Sequence, residues 1–231
     1  MRAAFVSDVH LDGPDDPAAR RFVRLVDGIE ADHLFILGDL FHAWWPWPGP
    51  PPARHGPSFA ALRRARARGL PITYVPGNHD PVPGPLFAQE LGIEVRPAHR
   101  RVIAGRRVWL AHGDEPDPGM GYALLRGTLR SRPWAALLRG LGPARGQALL
   151  DRMAGGSRDR PAAPGPLRAA QDRYAQARLA DGAELVVMGH LHHPELKALP
   201  GGQVAHLGGF GVDGVWCALD AGGPRLERCA G

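Results

Sequence analysis

The sequence predicts an α/β fold: an αββα sandwich, two sheets with helices outside them, carrying one helical insertion. Three observations predict it. Up to residue 75, strand-like apolar runs alternate with helix-period runs, the order that builds a parallel sheet with right-handed crossovers. From Arg101 onward, short apolar runs separated by glycine and proline turns read as further strands. Between Asp117 and Arg178 that pattern stops and amphipathic helical spacing replaces it.

Taken in order, residues 2–6 form a short buried strand. Phe22, Leu25, Val26 and Ile29 recur at helical spacing, and Gly28 weakens the end of that helix. His33–Leu37 is a second strand. Ser58 is placed to cap a helix that carries Phe59 and Leu62 and stops at Gly69. Residues 71–75 form a third strand. Residues 101–104, Gly105 and residues 107–111 read as a hairpin leading to His112. Within residues 117–178, Pro133 starts a helix with Trp134, Leu137, Leu138 and Leu141 at i, i+3, i+4 and i+7, and Gly142 ends it. Pro143 starts another, with Leu149, Leu150 and Met153, closed by Gly155-Gly156. Residues 167–179 form a third helix returning to the core. Residues 184–188, Glu195–Leu199, 203–207 and 212–219 complete the strands. No internal repeat is visible, so one domain over residues 1–231 is expected, with a helical lid at about 117–178.

Composition narrows the function classes. At 231 residues and 44% hydrophobic, the chain can bury one sizeable core, and no apolar run approaches the roughly 20 residues that span a bilayer. The first residues run straight into Ser7-Asp8-Val9-His10, so no cleavable signal is expected. Cys217 and Cys229 suggest no disulfide framework and lack metal-ligand spacing, so the chain reads as cytoplasmic and reduced. Residues 117–178 hold eleven arginines and four aspartates, hence +7, whereas the whole chain is only +5. A positive field confined to one segment points to an anionic substrate or surface, with a solvated arginine-rich face as the plain alternative. No motif beyond the arginines supports nucleic-acid binding.

Five short motifs each follow a strand-like run: Ser7-Asp8-Val9-His10, Gly38-Asp39, Gly77-Asn78-His79-Asp80, His112-Gly113-Asp114 and Gly189-His190-Leu191-His192. Asp8 and His10 are two apart, so both side chains point the same way from an extended chain end. Gly38 permits the tight turn that a bridging carboxylate at Asp39 requires. Asn78 offers a neutral amide oxygen, which limits the negative charge facing a phosphate. With His112, His190 and His192, the set mixes hard oxygens and imidazoles and suits manganese, iron or zinc better than calcium. Two divalent ions roughly 3.5–4 Å apart on such ligands form a site for in-line displacement at phosphorus. A phosphoric-ester hydrolase is therefore expected.

This motif set, from Asp8 to His192, resembles that of the calcineurin-like metallophosphoesterases. The resemblance implies one metal on Asp8, His10, Asp39 and His192, and a second on Asp39, Asn78, His112 and His190. Gly38-Asp39-Leu40-Phe41-His42-Ala43-Trp44 and the helical insertion are similar, more narrowly, to the UDP-2,3-diacylglucosamine pyrophosphohydrolases of lipid A biosynthesis. Those enzymes usually carry Gly-Asp-Leu-Phe-Glu-x-Trp, a tyrosine soon after His-Gly-Asp, like Tyr122, and a stretch like Ser157-Arg158-Asp159 in the insertion. Their insertion is a helical lid whose groove holds acyl chains. The chain departs from the pattern twice: His42 replaces the usual acid, and His79 stands where the main branch has arginine.

The resemblance implies a peripheral enzyme on the cytoplasmic membrane face that takes a lipid-nucleotide and releases UMP and 2,3-diacylglucosamine 1-phosphate. His79, held protonated by Asp80, would stabilise the developing charge. Tyr122, Ser157, Arg158, Trp44 and Trp134 are the expected substrate contacts, with Trp134, Leu137, Leu138 and Leu141 holding acyl chains. Trp44-Trp45-Pro46-Trp47 reads as a rigid aromatic loop that either meets acyl chains and the membrane interface or packs on its own core. His193 is expected at the surface or in support of the ligands. Gly208-Gly209-Phe210-Gly211 is not expected to cradle a nucleotide, because no helix follows it in the predicted pattern. Two alternatives remain: a soluble metallophosphodiesterase or phosphatase for a nucleotide or protein phosphate, and a metal-free binding scaffold.

Overall fold

The computed structural model describes residues 1–117, 119–158 and 164–229, with residues 156–158 and 164 described in backbone only. Two sheets form its centre. The first runs β11-β10-β1-β2-β3-β4, where β1 is Ala3–Val6, β2 His33–Leu37, β3 Ile72–Val75, β4 Glu94–Val95, β10 Val215–Asp220 and β11 Gly223–Arg228. The second runs β5-β6-β7-β9-β8, where β5 is His99–Ile103, β6 Arg106–Leu110, β7 Leu185–Met188, β8 Glu195–Leu199 and β9 Gly202–His206.

Strand alternation decides which sheet face meets which layer. Ala3, Phe5, Phe35 and Leu37 point inward and pack with Val108, Leu110, Val187, Ala205 and Leu207 of the second sheet. Ala4, Val6, Leu34 and Ile36 point outward against Phe22 and Val26 of α1 (Pro17–Gly28) and Phe59 and Leu62 of α2 (Gly56–Ala67). Because β1 and β2 are buried on both faces, they read as unbroken apolar runs, as central parallel strands do. The second sheet's outer face is covered by Ala175 and Leu179 of α5 (Pro164–Ala180), which pack on Val186, Met188 and Val204. This is the expected αββα sandwich.

The parallel register places the motifs. β1, β2 and β3 run side by side, as do β6 and β7, so their C-terminal ends share one edge of the sandwich. The crossover from β6 to β7 holds α3 (Met120–Leu129), α4 (Arg132–Arg158) and α5. Gly142, at φ 73° and ψ 174°, breaks α4 just before Pro143, where the sequence predicts one helix ending and another beginning.

Several elements depart from expectation. Ser58 does not cap α2; the helix starts at Gly56 with Pro57 in its first turn, and Ser58 is buried inside it. The strand expected over 212–219 begins only at Val215, because α6 (Phe210–Asp213) makes one turn that Gly214 ends in the left-handed conformation. The Gly208–Gly211 run therefore does lead into a helix, but only a single turn. α3, β4 and β11 are not anticipated. α3 buries none of its side chains, so no apolar stripe announces it.

The aromatic loop packs rather than projects. Trp44 lies in the core with its Nε1 donating to the Pro83 carbonyl at 3.0 Å. Trp45 packs with Leu138, Leu150 and Ala154 of α4, and Trp134 is half-buried against that cluster. Gln147 of α4 completes the junction, accepting from Trp47 Nε1 at 3.2 Å and donating to the Ala43 carbonyl at 3.2 Å.

Leu138 is fully buried in this junction. Leu138→Ala should cost about 2–5 kcal/mol locally, as large-to-small changes in a packed core do. Amide hydrogen exchange in α4 should accelerate while β1 and β2 stay protected. Unchanged exchange in α4 would mean that the helix is seated by other contacts.

Candidate metal centre

Ligand-type side chains reach this edge through unusual backbone. Asp8 (φ 55°), His10 (52°), Asp39 (52°), His190 (72°) and His192 (51°) all occupy the left-handed region, which non-glycine residues rarely enter. Each such residue costs about 1–3 kcal/mol and persists where surrounding structure over-determines it. Here the bonds are visible. Asp8 N–H donates to the Gly38 carbonyl at 3.2 Å, and His10 N–H to the Asp39 carbonyl at 3.0 Å. Ser7 Oγ and the His190 N–H both donate to Asp8 Oδ2, at 2.5 and 2.9 Å.

The side chains converge as two carboxylate-bearing triads, Asp8–His10–His192 and Asp39–His112–His190, beside an all-histidine group, His10–His42–His79, each with its ligand-type atoms within 4.8 Å of one another. Asp39 joins them: its Oδ2 lies 3.9 Å from His10 Nε2 and 3.5 Å from His112 Nε2. Asn78 Oδ1 is 3.0 Å from His112 Nε2, and His192 Nε2 is 3.2 Å from both Asp8 Oδ1 and His10 Nε2. All seven sequence-predicted ligands thus meet at one place.

The electrostatics fit a cation. Burial alone would push the Asp39 carboxyl up, but the charges of His112 and His79 hold it well below its ordinary value. Burial likewise opposes ionisation of Asp8, and His192 and His112 overcome it. His112 is pushed up despite its burial, chiefly by Asp39, and His192 is pushed up in the same way, chiefly by Asp8. Two buried carboxylates thus recruit positive charge onto the imidazoles facing them. Burial holds His10 down to about 3 and also lowers His190, so both rings keep a free lone pair at neutral pH. Asp8 Oδ1 is buried and receives no aligned hydrogen bond, which leaves it open to a cation. The donor set fits divalent metal ions.

The remaining expected residues separate into groups. Asp80 is fully buried and turns away from the proposed charge-stabilising role: it accepts backbone N–H groups from Asp39 (3.1 Å), Leu40 (2.7 Å), Phe41 (3.3 Å) and Gly77 (2.9 Å). It ties two ligand loops together and does not hold His79. The His79 ring instead donates from Nδ1 to the His42 carbonyl at 2.6 Å and stands edge-on to His10, with centroids 4.8 Å apart. Tyr122 lies 5.8 Å from the His190 ring, and its hydroxyl donates to Asp114 Oδ2 at 3.3 Å. Trp44 is a core residue and Trp134 belongs to the α4 junction, so neither faces the triads as a substrate contact. The side chains of Ser157 and Arg158 lie outside the described residues. His193 is exposed, and its carbonyl accepts from Arg168 at 3.0 Å.

Three contributors were not anticipated. Arg126 pairs with the buried Asp114 at 2.9 Å. Arg130 donates to the Gly77 carbonyl at 3.4 Å, so the α3–α4 corner sits over the Asn78 loop. Gln171 of α5 donates to the carbonyls of Gly113 and Gly189. None of the three carries a local sequence signal, since each acts through a distant backbone or carboxylate.

Comparison with known proteins agrees with this geometry. The profile of the calcineurin-like phosphoesterase family matches residues 1–194. A UDP-2,3-diacylglucosamine hydrolase of Serratia proteamaculans is 36% identical over 117 residues, covering 49% of this chain and 48% of that protein. One of the same name from Escherichia coli O6:H1 is 34% identical over 142 residues, covering 60% and 58%. The matched stretch is thus about half the length of these relatives. A solved archaeal phosphodiesterase covers 98% of this chain and 99% of its own, at 13% identity and TM-score 0.52, which shows a common fold. The expectation of a metal-dependent phosphoester hydrolase accords with the family match.

Asp80→Asn keeps the side-chain shape and removes one of the oxygens that order the Asp39 and Gly77 turns. It should weaken metal affinity about 10–100-fold, as removing support behind a ligand does. Asp39→Ala should weaken it further and abolish phosphoester hydrolysis while far-UV circular dichroism stays native. Metal titration against a chelator checks both; unaltered affinity in Asp39→Ala would remove that residue from the ligand set.

Proposed function

This chain belongs to the calcineurin-like phosphoesterase family, and we propose that it hydrolyses the pyrophosphate of UDP-2,3-diacylglucosamine, releasing UMP and 2,3-diacylglucosamine 1-phosphate. One observation carries the reading: the helices joining β6 to β7 lean over the ligand cluster while leaving large apolar side chains in solvent. Met120 is 89% exposed, Leu124 74% and Leu137 49%. A small soluble phosphate ester needs no such surface, whereas a diacylated substrate does. The names of the relatives support the same substrate class. Hydrolysis of a nucleotide or protein phosphate remains the competing outcome.

In this reading Asp8, His10, Asp39 and His192 hold one ion and Asp39, Asn78, His112 and His190 the other. Manganese is proposed for both, with iron or zinc compatible with the same donors. Bound there, the ions would supply Lewis-acid polarisation of the phosphate and an activated water. The chain's own groups do the rest. Asp39 sets the spacing of the two halves. Asn78 contributes an oxygen without adding negative charge. The His42 carbonyl fixes His79 by its Nδ1–H, leaving Nε2 as the ring edge available to the substrate phosphate. The leaving phosphate monoester has a second pKa near 6, about as acidic as the phosphoryl groups of modified proteins, so departure needs little protonation.

The helical segment is proposed as a lid, and the structure changes which residues would line it. Leu138, expected to hold an acyl chain, is sealed against Trp45 and serves packing. Met120, Leu124, Leu125, Leu137 and Met153 are the large apolar side chains left for a substrate among the described residues. Arg132, Arg139, Arg145 and Arg152 of α4 are exposed and make no salt bridge among the described residues. They suit the anionic cytoplasmic leaflet, where each basic residue near the surface is worth ~1 kcal/mol. No helix among the described residues is long and apolar enough to cross a membrane, so association of the peripheral kind is proposed.

The manganese-loaded chain should release UMP from the lipid nucleotide. Leu124→Ser with Leu125→Ser should raise KM for that substrate at least about tenfold, since exposing or deleting buried aliphatic contact is worth ~1.5–3 kcal/mol per side chain. Turnover of bis-p-nitrophenyl phosphate should hold. Equal losses on both esters would favour the soluble-phosphodiesterase reading.

His79→Arg should retain most activity, whereas His79→Ala should lose about 10²-fold in kcat, the usual effect of removing one transition-state donor. Steady-state rates on the lipid nucleotide test this. An arginine as damaging as alanine would point to a poorer leaving group and another substrate.

A further inference from the structure

We propose that Gln171 is a positioning residue that locks the second metal's two histidine loops together, so that the seat of α5 sets the affinity for that ion. The inference rests on the ligand set proposed above. Gln171 is fully buried, and its Nε2 donates to the Gly113 carbonyl at 2.9 Å and to the Gly189 carbonyl at 3.1 Å. Gly113 directly follows His112 and Gly189 directly precedes His190, the two imidazoles of the Asp39 triad. One planar amide therefore spans the gap between the ends of β6 and β7.

A carboxamide suits this place. It offers two N–H donors in a fixed plane without charge, whereas a carboxylate can donate nothing and a lysine or arginine would add a cation beside the metal. The two partners set the orientation, because both are carbonyl oxygens and only the NH2 end of the amide can donate to them; Oε1 is buried with no hydrogen-bond partner among the described residues. The loops also bond directly, Gly189 N–H to the His112 carbonyl at 2.7 Å. Gly113 sits at φ 108°, and a Cβ there would lie 2.7 Å from the Gly189 carbonyl oxygen and 2.8 Å from Gln171 Nε2. The contact is too close for any side chain but glycine.

The amide is itself anchored. The next residue, Asp172, bonds Lys197 of β8 at 2.5 Å and the buried His206 of β9 at 3.2 Å. One turn earlier, Arg168 reaches Glu195 at 3.2 Å and the His193 carbonyl at 3.0 Å. From the other side, α3 grips the same loop through Arg126 and Tyr122 on Asp114. The His112 loop is thus held by both ends of the helical segment. In the first triad, Asp8–His10–His192, the Asp8 and His10 amides are held by the Gly38 and Asp39 carbonyls, and Gln171 bonds none of the three directly; the His190 N–H ties its loop to Asp8 Oδ2.

The test is manganese binding by the full chain, read as ions per chain, as affinity against a competing chelator, and by electron paramagnetic resonance. Wild type should take two ions and give the spectrum of an exchange-coupled pair. Gln171→Met and the near-isosteric Gln171→Glu should keep the first ion and bind the second about 10–100-fold more weakly, the range for losing support behind a ligand. At limiting manganese both should give a mononuclear spectrum, and excess manganese should restore the coupled one. Gln147→Met, which loosens α4 from the tryptophan loop, should keep both ions. Second-ion affinity within twofold of wild type in both Gln171 variants overturns this inference alone. So does equal weakening of both ions, or an equal effect of Gln147→Met. A wild-type chain that takes up no second ion overturns the ligand set and this inference with it.

Discussion

The left-handed turn at Gly38-Asp39 is the constraint on which the rest of the site depends. β2 arrives as a fully buried strand, and its chain must reverse at once if Asp39 is to face both triads. Gly38 takes φ 80° and Asp39 follows at 52°. The turn is also crowded. A Cβ at Gly38 would fall 2.5 Å from His112 Nδ1, and one at Gly77 would fall 2.1 Å from Asp39 Oδ1. Two glycines therefore let two ligand loops touch, and Asp80 binds them by accepting from both turns. The strain at Asp39 is tolerable because its own oxygen accepts the His79 N–H at 2.9 Å and its amide is held by Asp80.

The site also depends on the sandwich being closed. β1, β2 and β3 supply Asp8, His10, Asp39 and Asn78 from one sheet; β6 and β7 supply His112, His190 and His192 from the other. Neither carboxylate-bearing triad comes from a single sheet: Asp8 and His10 need His192, and Asp39 needs His112 and His190. The apolar layer built by Phe5, Phe35, Leu37, Val187 and Leu207 is thus what brings opposite charges together. Hydrophobic burial sets the distance between the sheets, and the imidazole–carboxylate pairs are the local consequence. Direct bonds also join the two sheets at this edge: His190 N–H donates to Asp8 Oδ2 at 2.9 Å, and His112 Nδ1–H donates to the Leu37 carbonyl at 2.8 Å, fixing that ring so that Nε2 faces Asp39.

What could be read in the sequence was what repeats at short range. Apolar runs ending in Ser-Asp, Gly-Asp, Gly-Asn, His-Gly or Gly-His marked the strand ends, and a parallel order required those ends to share an edge. All seven ligand-type residues were legible for that reason. Asp80 was misread because its sequence neighbour His79 suggested a pair, whereas its carboxylate serves amides about forty positions away. Trp44 and Leu138 were misread because an aromatic or leucine on a polar-looking loop or helix reads the same whether it faces substrate or another part of the chain. Gln171 has no local signature at all; its partners lie 58 and 18 positions off. α3 escaped notice because apolar periodicity does not mark a helix none of whose residues is fully buried.

The helical segment divides its arginines between two tasks, and the division bears on what the segment can be. Arg126 on Asp114 and Arg168 on Glu195 are spent inside the fold, each holding a loop next to a ligand. Arg130 bonds a backbone carbonyl beside Asn78. Arg132, Arg139, Arg145 and Arg152 of α4 are left outward, on the same helix that leaves Leu137 in solvent. An arginine-rich face that merely kept the chain soluble would have no reason to share a helix with exposed leucine or to adjoin the equally exposed apolar side chains of α3. Guanidinium groups are weakly hydrated and bind phosphate through a planar fork, so they tolerate an interface where apolar and anionic groups meet better than an ammonium does. Lysine is nearly absent from this chain, Lys197 alone, and that one is tied to Asp172. The combination of outward arginine and unburied leucine above a buried ligand cluster is the chemistry of an amphiphile's two ends, and it supports the proposed substrate, which has both.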